Sequence, residues 1–262
     1  MNRIDIDIGP NYDIIALSFP FPPTISDWSI FGIFQSDDPL LRHQIILGNI
    51  NSGERQSWHY KYFVNQNNIR ISNGTLVYQD DQYYCLDVKG RVYAVQDPHG
   101  DNITFKYWCR PPIFKVGPSR VGAAPSRFLD TNQSFLAAGL EEDGGGIFAV
   151  IVSRDETKVS VYEFCRRECK WFPVENLRGR MLFVSETASF VAKATNPRMS
   201  NKIYFPKFYG ASGVFYSLKT KKYHSYDGRF SSKESYTLQD MPSTATWIQP
   251  SLPLPEDLSF NF

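Results

Sequence analysis

Few residues of the kinds that build catalytic or metal centres occur in this sequence. Its 262 residues include only four Cys and four His. No run approaches the ~18 apolar residues that a membrane helix needs. Lys and Arg number 28 against 27 Asp and Glu, a formal net charge of +1. No overall electrostatic field therefore directs the chain to nucleic acid or to an anionic membrane, and neither is an expected partner.

The first eight residues also lack the features of a secretory signal. They alternate acidic and apolar residues, where a signal would need a basic end followed by an apolar core. Cytosol or nucleus is therefore the expected location. In such a reducing compartment the four Cys (Cys85, Cys109, Cys165 and Cys169) are expected to be free thiols within strands.

Helical periodicity is absent as well, since no window of a dozen residues places apolar side chains at i, i+3, i+4 and i+7. The chain is instead rich in the aromatic residues that favour strands, with 20 Phe, 15 Tyr and 5 Trp. Its hydrophobic content of 42% is ample for a buried core. These features predict a folded all-β protein.

The stretch from 74 to 108 shows the β pattern most clearly. Short runs of β-branched and aromatic residues are separated by Gly, Asp, Asn and Pro, which predicts an antiparallel meander of four strands. One such sheet cannot bury both of its faces alone. The four runs are 74–78, 83–87, 91–96 and 103–108.

Comparable runs predict three further sheets. The first is expected at 28–34, 43–49 and 58–64, after a separate terminal strand at 13–18, and the third at 134–139, 146–153, 158–164 and 169–174. The fourth is expected at 190–194, 201–206, 214–218 and 223–226, after a link at 176–180.

Trp58, Trp108 and Trp171 each fall in the last strand of a predicted sheet. Their spacing is close to the repeat of propeller blades, roughly 40 to 50 residues. Radial repetition of four-stranded sheets also protects strand edges. We therefore predict one β-propeller domain over 1–262 with about five antiparallel blades. Two alternatives remain for the ends of the chain. In one, the first blade is truncated and the ring is incomplete. In the other, residues 246–248 pair with 13–18 to complete a blade.

Motifs at 83–93, 127–129, 171–184, 201–205 and 247–250 carry a family resemblance through their order and spacing. Together they resemble the plant F-box-associated propeller family classed as domain of unknown function 295. The resemblance covers about residues 24–251 and implies the propeller fold. Family members join it to F-box helices and act as substrate-recognition subunits of cullin-type ubiquitin ligases. This chain lacks an F-box and the early Gly-Ser-Ser-x-Gly-Trp-Leu-like blade motif, so no direct binding to the ligase adaptor is expected.

No pattern in the sequence predicts a catalytic, cofactor or metal site. Cys165 and Cys169 are two candidate metal ligands, whereas zinc needs four, and no second pair has matching spacing. The Gly-rich segment 141–146 has neither a following helix nor the Lys-Ser/Thr of a phosphate loop. The predicted innermost strands (76–78, 135–138 and 190–192) carry no acid, base or His.

A binding module for an unidentified protein partner is thus the favoured function. A propeller enzyme with an active site in its channel, and a truncated family member with little activity, are the alternatives. Long links between blades should gather at one end of the ring, where recognition loops commonly lie. The residues expected to contact the partner there are Arg110, Arg120, Arg178, Arg180, Lys207 and Arg229.

Overall fold

The computed structural model describes most of the predicted strands and the turns of the second half of the chain. Within these residues there is no α-helix, and the one helical element is a 3₁₀ turn at Pro197–Met199. The described residues are 13–18, 29–36, 44–51, 59–64, 69, 71–72, 75–87, 90–96, 104–109, 133–139, 145–153, 158–186, 188–232, 239–240 and 247.

The first two sheets contain the strands predicted for them, and the first also contains 13–18, which the prediction treated as a separate terminal strand but which pairs with β2. Each is an antiparallel meander in chain order, β1-β2-β3-β4 and β5-β6-β7-β8. Their strands are β1 Asp13–Ser18, β2 Ser29–Gln35, β3 Gln44–Asn51, β4 His59–Val64, β5 Val77–Gln79, β6 Gln82–Leu86, β7 Val92–Gln96 and β8 Thr104–Cys109.

The third predicted sheet is also present, as the antiparallel meander β9-β10-β11-β12. Its strands continue into those of the fourth sheet without a break. The remaining strands are β9 Gln133–Ala138, β10 Ile147–Val152, β11 Val159–Cys165, β12 Lys170–Pro173, β13 Arg180–Phe183, β14 Phe190–Lys193, β15 Lys202–Tyr209, β16 Ser212–Ser217, β17 Lys222–Ser225, β18 Ser231–Ser232 and β19 Gln239–Asp240.

The hairpin of β13 and β14 corrects the predicted strand order. The sequence prediction treated 176–180 as a link, omitted β13 and placed 190–194 beside 201–206. In the structure β13 lies between β14 and β15, in parallel to β15, and β14 pairs in parallel with β9. β13 has only four residues and begins with a buried Arg, so neither its length nor its pattern marks it as a strand.

Alternate residues of the middle sheets pack into different cores. On β6, Tyr83 and Cys85 face the first sheet, whereas Tyr84 and Leu86 face the third. On β10, Ile147 faces the second sheet while its neighbour Phe148 faces β13 to β17. Both faces of the second and third sheets are therefore buried between neighbours, which is the radial packing of propeller blades.

Polar contacts join successive blades as well. The buried Gln35 amide donates to the carbonyl of Ile69 (2.8 Å) and accepts from the amide of Ile71 (3.0 Å). Arg166 of the third sheet pairs with Asp80 of the second and lies over the Tyr84 ring, 5.0 Å from its centroid. These contacts and the three cores establish an all-β propeller. The predictions of five blades and of ring closure concern residues outside those described.

Trp247 contacts the end of β13 through its side chain. Its indole Nε1 donates to the carbonyl of Val184 at 3.0 Å, and its ring packs edge-on against Phe183 at 5.2 Å. These contacts hold the indole against the end of β13, and the pairing of 246–248 with 13–18 stays a prediction. Residues 246 and 248, which completed the predicted pairing segment, lie outside the described residues.

Arg180 fastens β13 to the third sheet. Its side chain is 9% exposed and lies over the Phe148 ring, 4.7 Å from the centroid. The guanidinium donates to the carbonyls of Leu177 (2.9 Å) and Gly145 (3.1 Å), and it lies 3.6 Å from a Glu163 carboxylate oxygen. Removing a buried charged side chain whose donors are all satisfied lowers stability strongly, because its hydrogen-bond partners are left unpaired.

We predict that Arg180→Ala lowers the free energy of unfolding by about 2 to 4 kcal/mol, because it leaves two carbonyls and Glu163 without their donor. Chemical denaturation measures the change. The control is Arg229→Ala, since the Arg229 side chain is 85% exposed. Equal unfolding midpoints for the two variants would contradict this role for Arg180.

Candidate partner-binding rim

The six residues predicted to contact a partner do not lie together. Arg110 and Arg120 are outside the described residues. Arg178 is exposed in the turn before β13, whereas Arg180 is buried between blades. Lys207 is near the end of β15, and Arg229 is exposed in the turn after β17.

Backbone hydrogen bonds show that these residues occupy two ends of the last blade. At the start of β15, the amide of Asn201 donates to the carbonyl of Arg180 (2.9 Å), and the amide of Leu218 donates to the carbonyl of Asn201 (3.0 Å). At the far end, the amide of Asp227 donates to Ser212 Oγ (3.2 Å). Arg178 and Arg180 are thus separated from Lys207 and Arg229 by the length of β15.

The end near Arg178 gathers cations from several turns. Lys193 pairs with Arg180 across β13 and β14, and Arg198 lies in the 3₁₀ turn that precedes β15. The turn between β16 and β17 adds three lysines beside Asn201. We call this end the basic rim, and it consists of Arg178, Lys193, Arg198, Lys202, Lys219, Lys221 and Lys222.

Most of the basic rim was missed in the sequence analysis, although the sequence carries a signal for it. Between Glu186 and Asp227 there is no Asp or Glu, whereas the same 40 residues contain seven Lys and Arg. The balanced charge of the whole chain hides this interval. A running net charge along the sequence would have located it.

The lysines of the β16–β17 turn have no acidic partner in the described part of the chain. No carboxylate there lies within ion-pair distance of Lys219, Lys221 or Lys222. Lys219 and Lys221 are exposed, and Lys222 is partly buried. Neighbouring like charges repel one another, so this cluster does not stabilise the fold.

Two cations of the basic rim occupy backbone positions that favour glycine or asparagine. The φ angle is +53° at Arg178 and +55° at Lys221, both in the left-handed region. The turns themselves are well formed, since the amide of Arg178 donates to Asn176 Oδ1 (2.7 Å) and that of Lys221 donates to the carbonyl of Ser217 (2.9 Å). Long cationic side chains are therefore held at two strained turn positions.

Aromatic rings line the face of the last blade that points away from the core, from the basic rim to the opposite end. Lys202 Nζ is 3.8 Å from the centroid of the Phe215 ring, and His224 stacks on the same ring at 5.3 Å. Tyr226 packs edge-on against Tyr204 at 5.7 Å and is 50% exposed. Its ring covers Gly213, where a Cβ would come within 2.5 Å of it.

Burial and the nearby cations determine the protonation of this face. The pKa of His224 is lowered by burial and by the charges of Lys202 and Lys222. Burial, with a smaller contribution from Tyr204, raises the pKa of Tyr226 to about 12. At neutral pH the imidazole and phenol are therefore uncharged, and lysines and arginines supply the positive charge.

In the described part of the chain, the cysteines and other titratable groups form no comparable cluster. Among the described residues, no group of three His, Cys, Asp or Glu could hold a metal ion. Cys169 is an exposed thiol that donates to the carbonyl of Arg166 at 3.4 Å, and Cys85 is buried, which raises the pKa of its thiol. In the described part of the chain, no helix has the length and apolar character that crossing a membrane requires.

The fold and its radial packing define a β-propeller protein. Residues 18–227, which are 210 of the 262, match the profile of the KIB1-4 beta-propeller family. The chain belongs to the KIB1-4 beta-propeller family. A comparison with curated proteins gave no match.

We predict that Lys221→Gly raises the free energy of unfolding by about 0.5 to 1 kcal/mol, because glycine relieves the left-handed strain at a smaller cost in backbone entropy. Lys219→Gly removes the same charge at a position without positive φ and should not stabilise. Urea denaturation compares the two variants. Equal losses of stability in both would show that Lys221 is unstrained.

We also predict that His224 titrates below the ordinary His pKa of about 6.5. The folded state then binds fewer protons at this site than the unfolded chain, so the contribution of His224 to stability is intact above about pH 6.5 and is lost as the pH falls through the folded pKa. An NMR titration of the imidazole measures this pKa. Lys222→Gln should raise it, and a pKa at or above the ordinary value in the unsubstituted protein would refute the assignment.

Proposed function

We propose that this chain is a non-catalytic protein-recognition propeller, similar to the substrate-binding part of F-box ubiquitin-ligase adaptors, and that its partner binds at the basic rim. The observation that supports this most directly is the cluster of unpaired lysines on the turn after β16. Recognition commonly uses loops held on a rigid scaffold, and this turn is held by the bond between Leu218 and Asn201.

The chemistry of the rim favours binding over catalysis. General acid–base catalysis needs a positioned group whose pKa lies near the working pH, often a His oriented by a carboxylate. His224 is instead flanked by Lys202 and Lys222, and its Nε2 is 2.7 Å from the hydroxyl of Thr220. This environment keeps the imidazole neutral and offers it no acidic partner.

We propose a relation to ubiquitin ligases only for the binding of a substrate protein, and not for docking onto the ligase itself. F-box helices dock through an amphipathic stripe, and the described residues of this chain form strands and one 3₁₀ turn. We propose that the described part of the propeller binds a protein substrate and does not itself bind the ligase adaptor. In a titration of the two purified proteins, no binding to the ligase adaptor subunit is expected, and micromolar or tighter binding would contradict this part of the proposal.

Affinity capture from cytosolic and nuclear extracts of the source cells tests the recognition role. The rim variant combines Lys219→Gln, Lys221→Gln and Lys222→Gln. Its matched control, Lys106→Gln with Lys158→Gln and Lys170→Gln, removes three exposed lysines from other blades. We predict that a discrete protein is recovered with the unsubstituted chain and the control, and that its yield falls at least tenfold with the rim variant. Equal recovery with both variants, or recovery of chaperones alone, would contradict the proposed role.

A further inference from the structure

Resting on the proposed function, we infer that the basic rim binds an extended segment of its protein partner that is rich in Asp and Glu. The cations of the rim come from three turns and project from one end of the last blade. Arg178, Lys219, Lys221 and Lys222 have no carboxylate within ion-pair distance in the described part of the chain. A row of unpaired cations attracts a complementary row of anionic side chains and accelerates the encounter with it.

The dimensions of the rim define the length of that segment. Its residues lie at the ends of five adjacent strands in the order β14-β13-β15-β16-β17. Four strand spacings separate the first of these strands from the last. At about 4.8 Å per spacing the row is roughly 19 Å long. An extended peptide covers this distance with about six residues.

Backbone strain is a second reason to assign a binding role to these side chains. Arg178 and Lys221 occupy left-handed positions, at φ of +53° and +55°, where glycine would be more stable. Lys221 adds like charge beside Lys222 without an ion pair in return. Neither residue serves the stability of its turn, so both are better explained by what their side chains contact.

The aromatic rings near the rim favour a peptide over a nucleic acid. Single-stranded nucleic acid binds by stacking its bases on open aromatic faces. The Phe215 ring already contacts Lys202 at 3.8 Å and His224 at 5.3 Å, and Tyr204 is only 7% exposed. Charge recognition at the turns therefore remains as the main source of affinity, because the half-exposed Tyr226 belongs to the opposite end of the blade, where its amide donates to the carbonyl of Gly213.

The inference is tested by fluorescence anisotropy with the full chain and short labelled probes. The first probe is a ten-residue peptide of alternating Asp and Glu, and its neutral twin replaces these residues with Asn and Gln. A single-stranded oligonucleotide with the same number of charges and vesicles with anionic headgroups complete the set. We expect the acidic peptide to bind, the neutral twin to bind at least tenfold more weakly, and the affinity for the acidic peptide to fall steeply with salt.

Substitutions then locate the site. The triple rim variant should weaken acidic-peptide binding at least tenfold, and the control triple variant by twofold or less. Lys221→Gly and Arg178→Gly should each weaken binding about threefold without lowering the unfolding midpoint, a combination that a structural role would not produce. Equal losses in the rim and control triples, or tighter binding of the oligonucleotide or vesicles at the rim, would overturn the inference.

The two proposals fail in distinguishable ways. If capture from cells depends on the rim while the acidic peptide does not bind, the inference about acidic segments is wrong and the recognition role stands. If the acidic peptide binds at the rim while no protein is captured, the chemistry of the site is supported and the recognition role is not.

Discussion

The burial of both faces of the middle sheets is the constraint on which the rest of this structure depends. Each strand of the second and third sheets must supply apolar side chains in two directions, and Tyr83 with Tyr84 shows how adjacent residues serve different cores. No blade can therefore be stable alone. The same packing fixes the relative positions of the turns, so a charged surface can be assembled from segments that are distant in sequence.

The last blade differs from the two middle blades in how its faces are used. One face packs on β10 and β11, while the other carries Phe215, His224 and the half-exposed Tyr226. Two hydrogen-bonding side chains hold the turns at the rim end of this blade. Arg180 donates to backbone carbonyls, and Asn201 Oδ1 accepts from a backbone amide. Cations at that end are consequently presented on a well-supported scaffold rather than on a free loop.

The strands were largely predictable from the sequence, because period-2 patterns and turn residues act locally. The strands within 28–64, 77–109, 133–173 and 202–225 follow from those signals, whereas the pairing of β1 with β2 was not predicted. The insertion of β13 could not be inferred, since its parallel pairing with β15 is a tertiary contact made by four residues. The residues of the predicted binding face lie apart for the same reason. The predicted link at 176–180 leads into β13, which begins at the end of the blade opposite to Lys207. Of the four predicted contact residues that the structure describes, only Arg178 belongs to the basic rim.

The central claim is that a protein partner binds the rim end of the last blade. Hydrogen–deuterium exchange of the chain with and without its captured partner would test this directly. The account predicts slower exchange on binding at residues 176–179, 194–201 and 218–222, with little change at 210–212 and 227–230. Protection confined to 210–212 and 227–230 would place the partner at the opposite end and contradict the account.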